Sequence, residues 1–345
     1  MTFESDLLRD SASRLFADLF EKPTLDARPK PDAIASVWQK FEEAGLPYAA
    51  VAEDHGGVGA SLADAMALVR LTGLHVVPAP LAETIMSGWI WSTLAKSAPP
   101  EGPITIACSA MVSSSSLTKI AGGWQLDATI ERVPWGNHCK AILFPCTLDG
   151  RTVLVMAPLN AATIGAGGTN MALEPRDAAA FSATRLPASA VVEVGSMSGL
   201  GHLDVALALT RAAQLSGAMA AAIDRTIAYA NERVQFGRPI AKFQAVQQQL
   251  AMAAGEAAAS QAAVDLAAKA RASEAAGIVA SVCHQTHAAI GFTNEHPLQL
   301  YTRRLWSWRD ETGNEAHWHR LIGERLLTAG YDNAWPLIAS LTPGA

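Results

Sequence analysis

Hydrophobic positions recur at helical spacing through the first hundred residues. Leu7, Leu8, Leu15, Phe16, Leu19 and Phe20 share one side of a 3.6-residue repeat. A second helical pattern runs from Asp32 through Val37, Trp38 and Phe41 and stops at Gly45-Leu46-Pro47. The turn His55-Gly56-Gly57-Val58-Gly59 leads to Ser61, a predicted N-cap for a helix holding Ala65, Met66 and Val69. Beyond residue 100 the pattern changes. Short strand-like runs at 104–108, 117–120, 123–131, 140–145, 152–157 and 189–194 alternate with prolines and with turn pairs such as Gly122-Gly123 and Asp149-Gly150. They predict an all-β domain, a small barrel or sandwich. After Pro187, Pro239 is the only proline before Pro297. Helices are predicted over 200–234, 241–271, 273–290, 297–309 and 314–328, long enough for an antiparallel bundle. The chain therefore reads as an α+β multidomain protein: a helical domain over 1–100, a β-barrel over 101–196 and a helical bundle over 197–345.

Composition narrows the function classes. Half of the 345 residues are hydrophobic and 17% are charged, against about 25% in an ordinary water-soluble chain. Disorder is excluded, because ample apolar surface is available to offset chain entropy. The net charge of −6 argues against a nucleic-acid partner, which needs clustered cations. The apolar excess is largely alanine, as over 251–272, and predicts helices buried on several sides, partly by other subunits. Charge or glycine interrupts the apolar runs within about 18 residues, so no membrane span is expected. The first ten residues lack a signal-peptide core, and the four cysteines form no CxxC pair. A cytoplasmic enzyme or enzyme subunit, without a metal, is the resulting expectation.

Most small motifs carry little. Gly165-Ala166-Gly167-Gly168 and Gly56-Gly57-Val58-Gly59 lack the strand-to-helix setting of a dinucleotide loop and read as turns. Ser116-Leu117-Thr118-Lys119 fits S-x-x-K without companion motifs. His317 and His319 have the wrong spacing to share a metal on a helix. The segment 225–251 is more informative. A long helix ends near Arg233, Gly237 breaks it, Pro239 starts a new segment and a second long helix follows. Arg233 and Gln244 can there present donors suited to a pyrophosphate and a ribose, although an ordinary corner with a solvent-facing Arg has the same pattern.

Arg233-x-x-Phe236-Gly237-x-x-Ile240-x-x-Phe243-Gln244 resembles a signature of the acyl-CoA dehydrogenase family. Gln285-Thr-His287-Ala-Ala-Ile290-Gly291-Phe292-Thr293-x-Glu295-His296-Pro297, continued by Tyr301-x-Arg303-Arg304, resembles its Q-x-H-G-G-x-G-F-T-x-E-[HY]-P run. Glu53 to Leu62 resembles the family's turn between N-terminal helices, and Val133-Pro134-Trp135 its strand entering the flavin region. The resemblance covers nearly the whole chain. It implies FAD as cofactor, an acyl-CoA substrate, an electron-accepting flavoprotein as partner, and assembly as a dimer or tetramer through the bundle. It places Arg233, Gln235, Phe236, Phe243 and Gln244 at cofactor pyrophosphate and ribose contacts. Gln285, His287, Ala288 and Ala289 match the stretch that passes the adenosine of a neighbouring subunit's FAD.

Other positions depart from that pattern. The family's catalytic Glu aligns with Gly313, and the alternative Glu of a second group aligns with Leu207. Asp310, Glu311 and Glu315 are the acidic residues nearest the first position, and helix-start or loop solvation explains each equally well. The family's T-E-P-x-x-G-S-D run aligns with Cys108–Ser116, which has lost both acids and the glycine. Ala288 and Ala289 add methyl groups where the family keeps glycine. The resemblance thus implies a FAD-dependent acyl-CoA dehydrogenase or the less catalytic subunit of a heterotetramer with a paralogue. Known examples of such complexes act on bulky thioesters such as steroid side chains. A non-catalytic scaffold subunit, and a flavin oxidase or monooxygenase on the same fold, are the alternatives.

Overall fold

The structure, a computed structural model, describes residues 3–20, 31–194, 203–262 and 266–330. The chain opens on α1 (Phe3–Phe20), α2 (Pro31–Glu43), α3 (Leu62–Leu74) and α4 (Leu81–Ala95). Phe16 meets Phe41 edge-on, with ring centroids 5.5 Å apart and both side chains fully buried. Ser61 caps α3 as its position predicts: its Oγ accepts from the Asp64 N–H and donates to the Asp64 carboxylate at 2.6 Å.

The middle strands are β1 (Ile104–Ile106), β2 (Val112–Ile120), β3 (Gly123–Pro134), β4 (Ala141–Leu148), β5 (Arg151–Pro158), β6 (Thr163–Thr169), β7 (Pro175–Pro187) and β8 (Val191–Glu193). They form two four-stranded sheets, in the orders β1-β4-β5-β8 and β2-β3-β7-β6. Of the expected barrel or sandwich the sandwich forms: the strands do not close into a barrel, and each sheet keeps its own edges. The two share one core, in which Phe144 of β4 stacks on Phe181 of β7 at 6.1 Å. The turn pairs are where the sequence puts them. Asp149 and Gly150 take φ values of 48° and 76° and close the β4–β5 hairpin.

Two strands lie outside the predicted runs. β7 is central to its sheet, yet its Ala178-Ala179-Ala180 stretch has little β-branched signal. β6 contains Gly165–Gly168, so that stretch is a strand and not the expected turn. Gly167 is needed there because a Cβ would lie 1.8 Å from the Arg176 carbonyl oxygen.

The remaining elements are α5 (Leu203–Glu232), the short hairpin β9 (Val234–Gln235) and β10 (Arg238–Pro239), α6 (Gln244–Ala262), α7 (Leu266–His287), α8 (Leu298–Asp310) and α9 (Glu315–Ala329). The break predicted at residue 272 is wrong. Arg271, Ala272 and Ser273 lie inside α7, because the alanine run holds no residue that stops a helix. By length and composition α5 could cross a membrane, but 83% of its apolar window is buried within the protein. The residues group into two compact units. One holds α1–α4, both sheets and α5 up to Thr210, without Gly73–Val76; the other holds Gly73–Val76 and the described residues from Arg211 to Gly330.

Candidate functional site

The corner between α5 and α6 is built by a two-residue hairpin. Gln235 pairs with Arg238 and Val234 with Pro239. Phe236 and Gly237 between them take φ values of 52° and 80°, the geometry of a type I′ turn. The Ile240 N–H donates to the Arg233 carbonyl at 2.9 Å and closes the base of the loop. Arg233, Gln235, Phe236 and Gln244 are exposed, and Phe243 is half-buried. Phe236 is 92% exposed although its backbone is left-handed, a costly conformation for a side chain with a Cβ. The Arg238 guanidinium stands 4.3 Å from the centroid of the Phe243 ring. From 233 to 242 the chain carries Arg233, Arg238 and Lys242 and no acid, and it ends at the N-terminus of α6. Cations beside the positive end of a helix suit a phosphate.

Among the second group of predicted residues, His287 is buried, whereas Gln285, Ala288 and Ala289 are exposed. The His287 ring stacks on Tyr229 at 4.3 Å and meets His296 at 4.7 Å. Its Nδ1 lies 2.9 Å from the Cys283 carbonyl. Burial lowers the pKa of His287 and of His296, and burial first, then His287, lowers that of His284. Ala288 sits at φ 53°, so the alanine stands where a glycine would be unstrained.

The α8–α9 turn is held by several contacts from α7 and α9. Gly313 has φ 91°, and a Cβ there would lie 2.5 Å from His317 Cδ2. Lys269 of α7, 1% exposed, directs its Nζ at Ser273 Oγ (3.0 Å), the Arg309 carbonyl (2.7 Å) and the Gly313 carbonyl (2.9 Å). Trp318 Nε1 donates to the Thr312 carbonyl at 3.0 Å, and Asn314 caps α9. Of the three acidic residues near the aligned base position, Glu311 is held by buried Arg211 at 2.8 Å. Glu315 is paired with Arg309, which pulls its carboxyl below the usual range. Asp310 is exposed. Leu207, the alternative base position, is fully buried in the core shared by the two sheets.

The stretch Cys108–Ser116 lies on a short turn and the start of β2. A carboxylate does reach it, from the first turn of α5: Ser109 Oγ donates to Asp204 at 2.6 Å. Burial, helped by Asp204, pushes the Cys108 thiol up to about 11. Ser116 and Lys119 are three apart on β2 and so point to opposite faces. Among the described residues no group of His, Cys, Asp or Glu is arranged to hold a metal. Sequence reasoning missed Asp204 and Lys269. The signal for the first was an acid in the opening turn of a long helix, and for the second a lone lysine within the alanine run.

Residues 206–271 match the family model for the acyl-CoA dehydrogenase C-terminal domain. The chain is 32% identical over 321 residues to the acyl-CoA dehydrogenase FadE34 of Mycobacterium tuberculosis; the match covers 84% of this chain and 42% of FadE34. It is 28% identical over 331 residues to the acyl-CoA dehydrogenase IpdE2 of Mycolicibacterium smegmatis, covering 88% and 93% of the two chains. A chain of the ChsE4–ChsE5 complex from Mycobacterium tuberculosis has the same fold, with a TM-score of 0.80 at 19% identity over 96% of this chain and 99% of that one. The helical ends, the paired sheets between them and this extent of sequence identity place the chain in the acyl-CoA dehydrogenase family.

Proposed function

We propose that the chain is a FAD-dependent flavoprotein that oxidises an acyl-CoA thioester, or a subunit of a heteromer that does so. The observation that carries this reading is the α5–α6 corner. Its three cations stand without an intervening acid, and an exposed Phe236 fills the left-handed first position of the type I′ turn, where a hairpin ordinarily has Asn, Asp or Gly. Arg233 and the α6 N-terminus bind the cofactor's pyrophosphate, while Gln235 and Gln244 donate to its ribose side. Phe236 and Phe243 cover the apolar part. Gln285, His287, Ala288 and Ala289 border the adenosine held by a neighbouring subunit. Bound FAD would supply the acceptor for a hydride from the thioester's β-carbon and for electron transfer to an acceptor flavoprotein. The zone 197–345 carries the cofactor contacts and the assembly contacts, in a cytoplasmic homo- or hetero-oligomer.

The proton at the α-carbon needs a base within hydrogen-bond reach. Gly313 offers none, Leu207 is buried in the core, Glu311 and Glu315 are committed to Arg211 and Arg309, and Asp310 is exposed to solvent at the end of α8. These assignments favour a second reading for this chain, the cofactor-holding subunit of a heterotetramer whose paralogue supplies the carboxylate. FadE34 and IpdE2 carry the name of the activity, and ChsE4–ChsE5 is a two-component complex. The test is expression of the chain alone and together with a paralogue that has the Glu. A flavin-coloured protein bleached by acyl-CoA, in either setting, supports the proposal. A colourless product in both settings, with FAD supplied, overturns it.

A further inference from the structure

We propose that Arg238 is a second diphosphate-binding arginine of the α5–α6 corner, beside Arg233, and that Phe243 is the positioning residue that holds it. The proposal rests on the FAD reading above and adds a residue that the Arg233–Gln244 signature leaves unspecified. The register of the hairpin puts Arg238 at the site. Arg238 pairs directly with Gln235, and residues directly opposite each other on an antiparallel pair send their side chains to the same face. Arg238 therefore leaves the hairpin beside Gln235, one of the proposed cofactor contacts.

The guanidinium has a fixed seat and no internal partner. Its Cζ stands 4.3 Å from the centroid of the Phe243 ring, and the Phe236 ring meets Phe243 edge-on at 6.2 Å. Phe243 covers one flat face of the guanidinium and leaves its N–H edge open. Among the described residues Arg238 makes no ion pair and no side-chain hydrogen bond. Arg211, Arg271 and Arg309, by contrast, are each bound to a glutamate. No acid occurs between Arg233 and Gly255 to take that edge from along the chain. A planar fork, already ordered by a ring, loses little freedom when it grips paired phosphate oxygens. A diphosphate carries two negative charges, and the two arginines of the corner match them.

Calorimetric titration of the flavin-free, full-length protein with FAD, and separately with coenzyme A, which also carries a diphosphate, tests the proposal. Arg238→Met weakens FAD binding by about tenfold or more, the worth of one charge-assisted contact. It also makes FAD binding less sensitive to salt. Coenzyme A binding and the urea midpoint stay as in the parent. Phe243→Leu, which keeps both arginines, weakens FAD binding too, but adds little once Arg238 is replaced. Parent-like FAD affinity in Arg238→Met overturns the proposal while leaving the FAD reading intact. A loss for coenzyme A in place of FAD overturns the assignment to the cofactor. Losses that add in full in the double variant overturn the holding role of Phe243. A parent protein that binds no FAD, alone or with a paralogue, overturns the FAD reading and this proposal with it.

Discussion

The α5–α6 corner and the α8–α9 turn both align with a functional motif of the family, and they have kept opposite things. At the corner the side chains survive and face outward: Arg233 and Gln244 are exposed, and Phe236 stands off the surface on a strained backbone. At the turn, Gly313 stands where the proposed alignment puts the family's carboxylate, Lys269 and Trp318 hold backbone carbonyls, and Arg211 holds the Glu311 carboxylate. The corner presents exposed donors, as the proposed cofactor site needs. The turn has its Arg309, Thr312 and Gly313 carbonyls and its Glu311 and Glu315 carboxylates bonded within the chain. The contrast gives a physical form to the idea of a cofactor-holding subunit without its own base.

The largest test of that contrast is to force the family's carboxylate back. Gly313→Glu is expected to destabilise the protein by about 2–4 kcal/mol, from a side chain at positive φ and the clash with His317. Urea unfolding measures this, and a variant as stable as the parent would show that the turn is not sealed. At the corner, Arg233→Ala should weaken FAD binding by about 1.5–3 kcal/mol, the worth of a hydrogen bond to a charged group. Its urea midpoint should stay within the scatter usual for exposed positions. Fluorescence titration with FAD separates the two effects.

Lys269 gives an intermediate effect with a defined sign. Its folded pKa, about 7, lies below that of an ordinary lysine, so between these values the unfolded chain holds the proton and the folded chain does not. Stability due to this group therefore rises with pH above 7, by at most about 1.4 kcal/mol per pH unit, and is lost as pH falls through 7. Lys269→Met should remove that component from the pH dependence of the urea midpoint. The smallest effect is expected at Ala288→Gly. Relief of the left-handed alanine should raise stability by about 0.5–1 kcal/mol. No gain in thermal unfolding would mean that the strain at φ 53° is already compensated locally.

The legibility of the two sites in the sequence differs in the same way. The corner was readable because Arg233, Phe236, Gly237, Pro239 and Gln244 are close in sequence and each has a local physical role. The turn was readable only as an absence at Gly313. Lys269 is 44 residues away, and its neighbours in the chain are alanines that give no hint of a polar partner. The same limit explains the missed strand β7, whose alanines join the sheet because β3 and β6 flank them. It also explains the misplaced break between α6 and α7.

By itself the sequence determined the order helical, β, helical, the turn at Asp149-Gly150, the break of the long helix ahead of Gly237 and the cap at Ser61. These depend on nearest neighbours: positive φ, a missing N–H, or a hydroxyl three residues from a free amide. Only the tertiary structure decided that the two sheets stay open, that Leu207 is core, that Asp204 reaches Ser109 and that Lys269 seals the α8–α9 turn. Those outcomes rest on groups far apart in the chain, whose charges and hydrogen bonds acquire their strength only where folding removes the water between them.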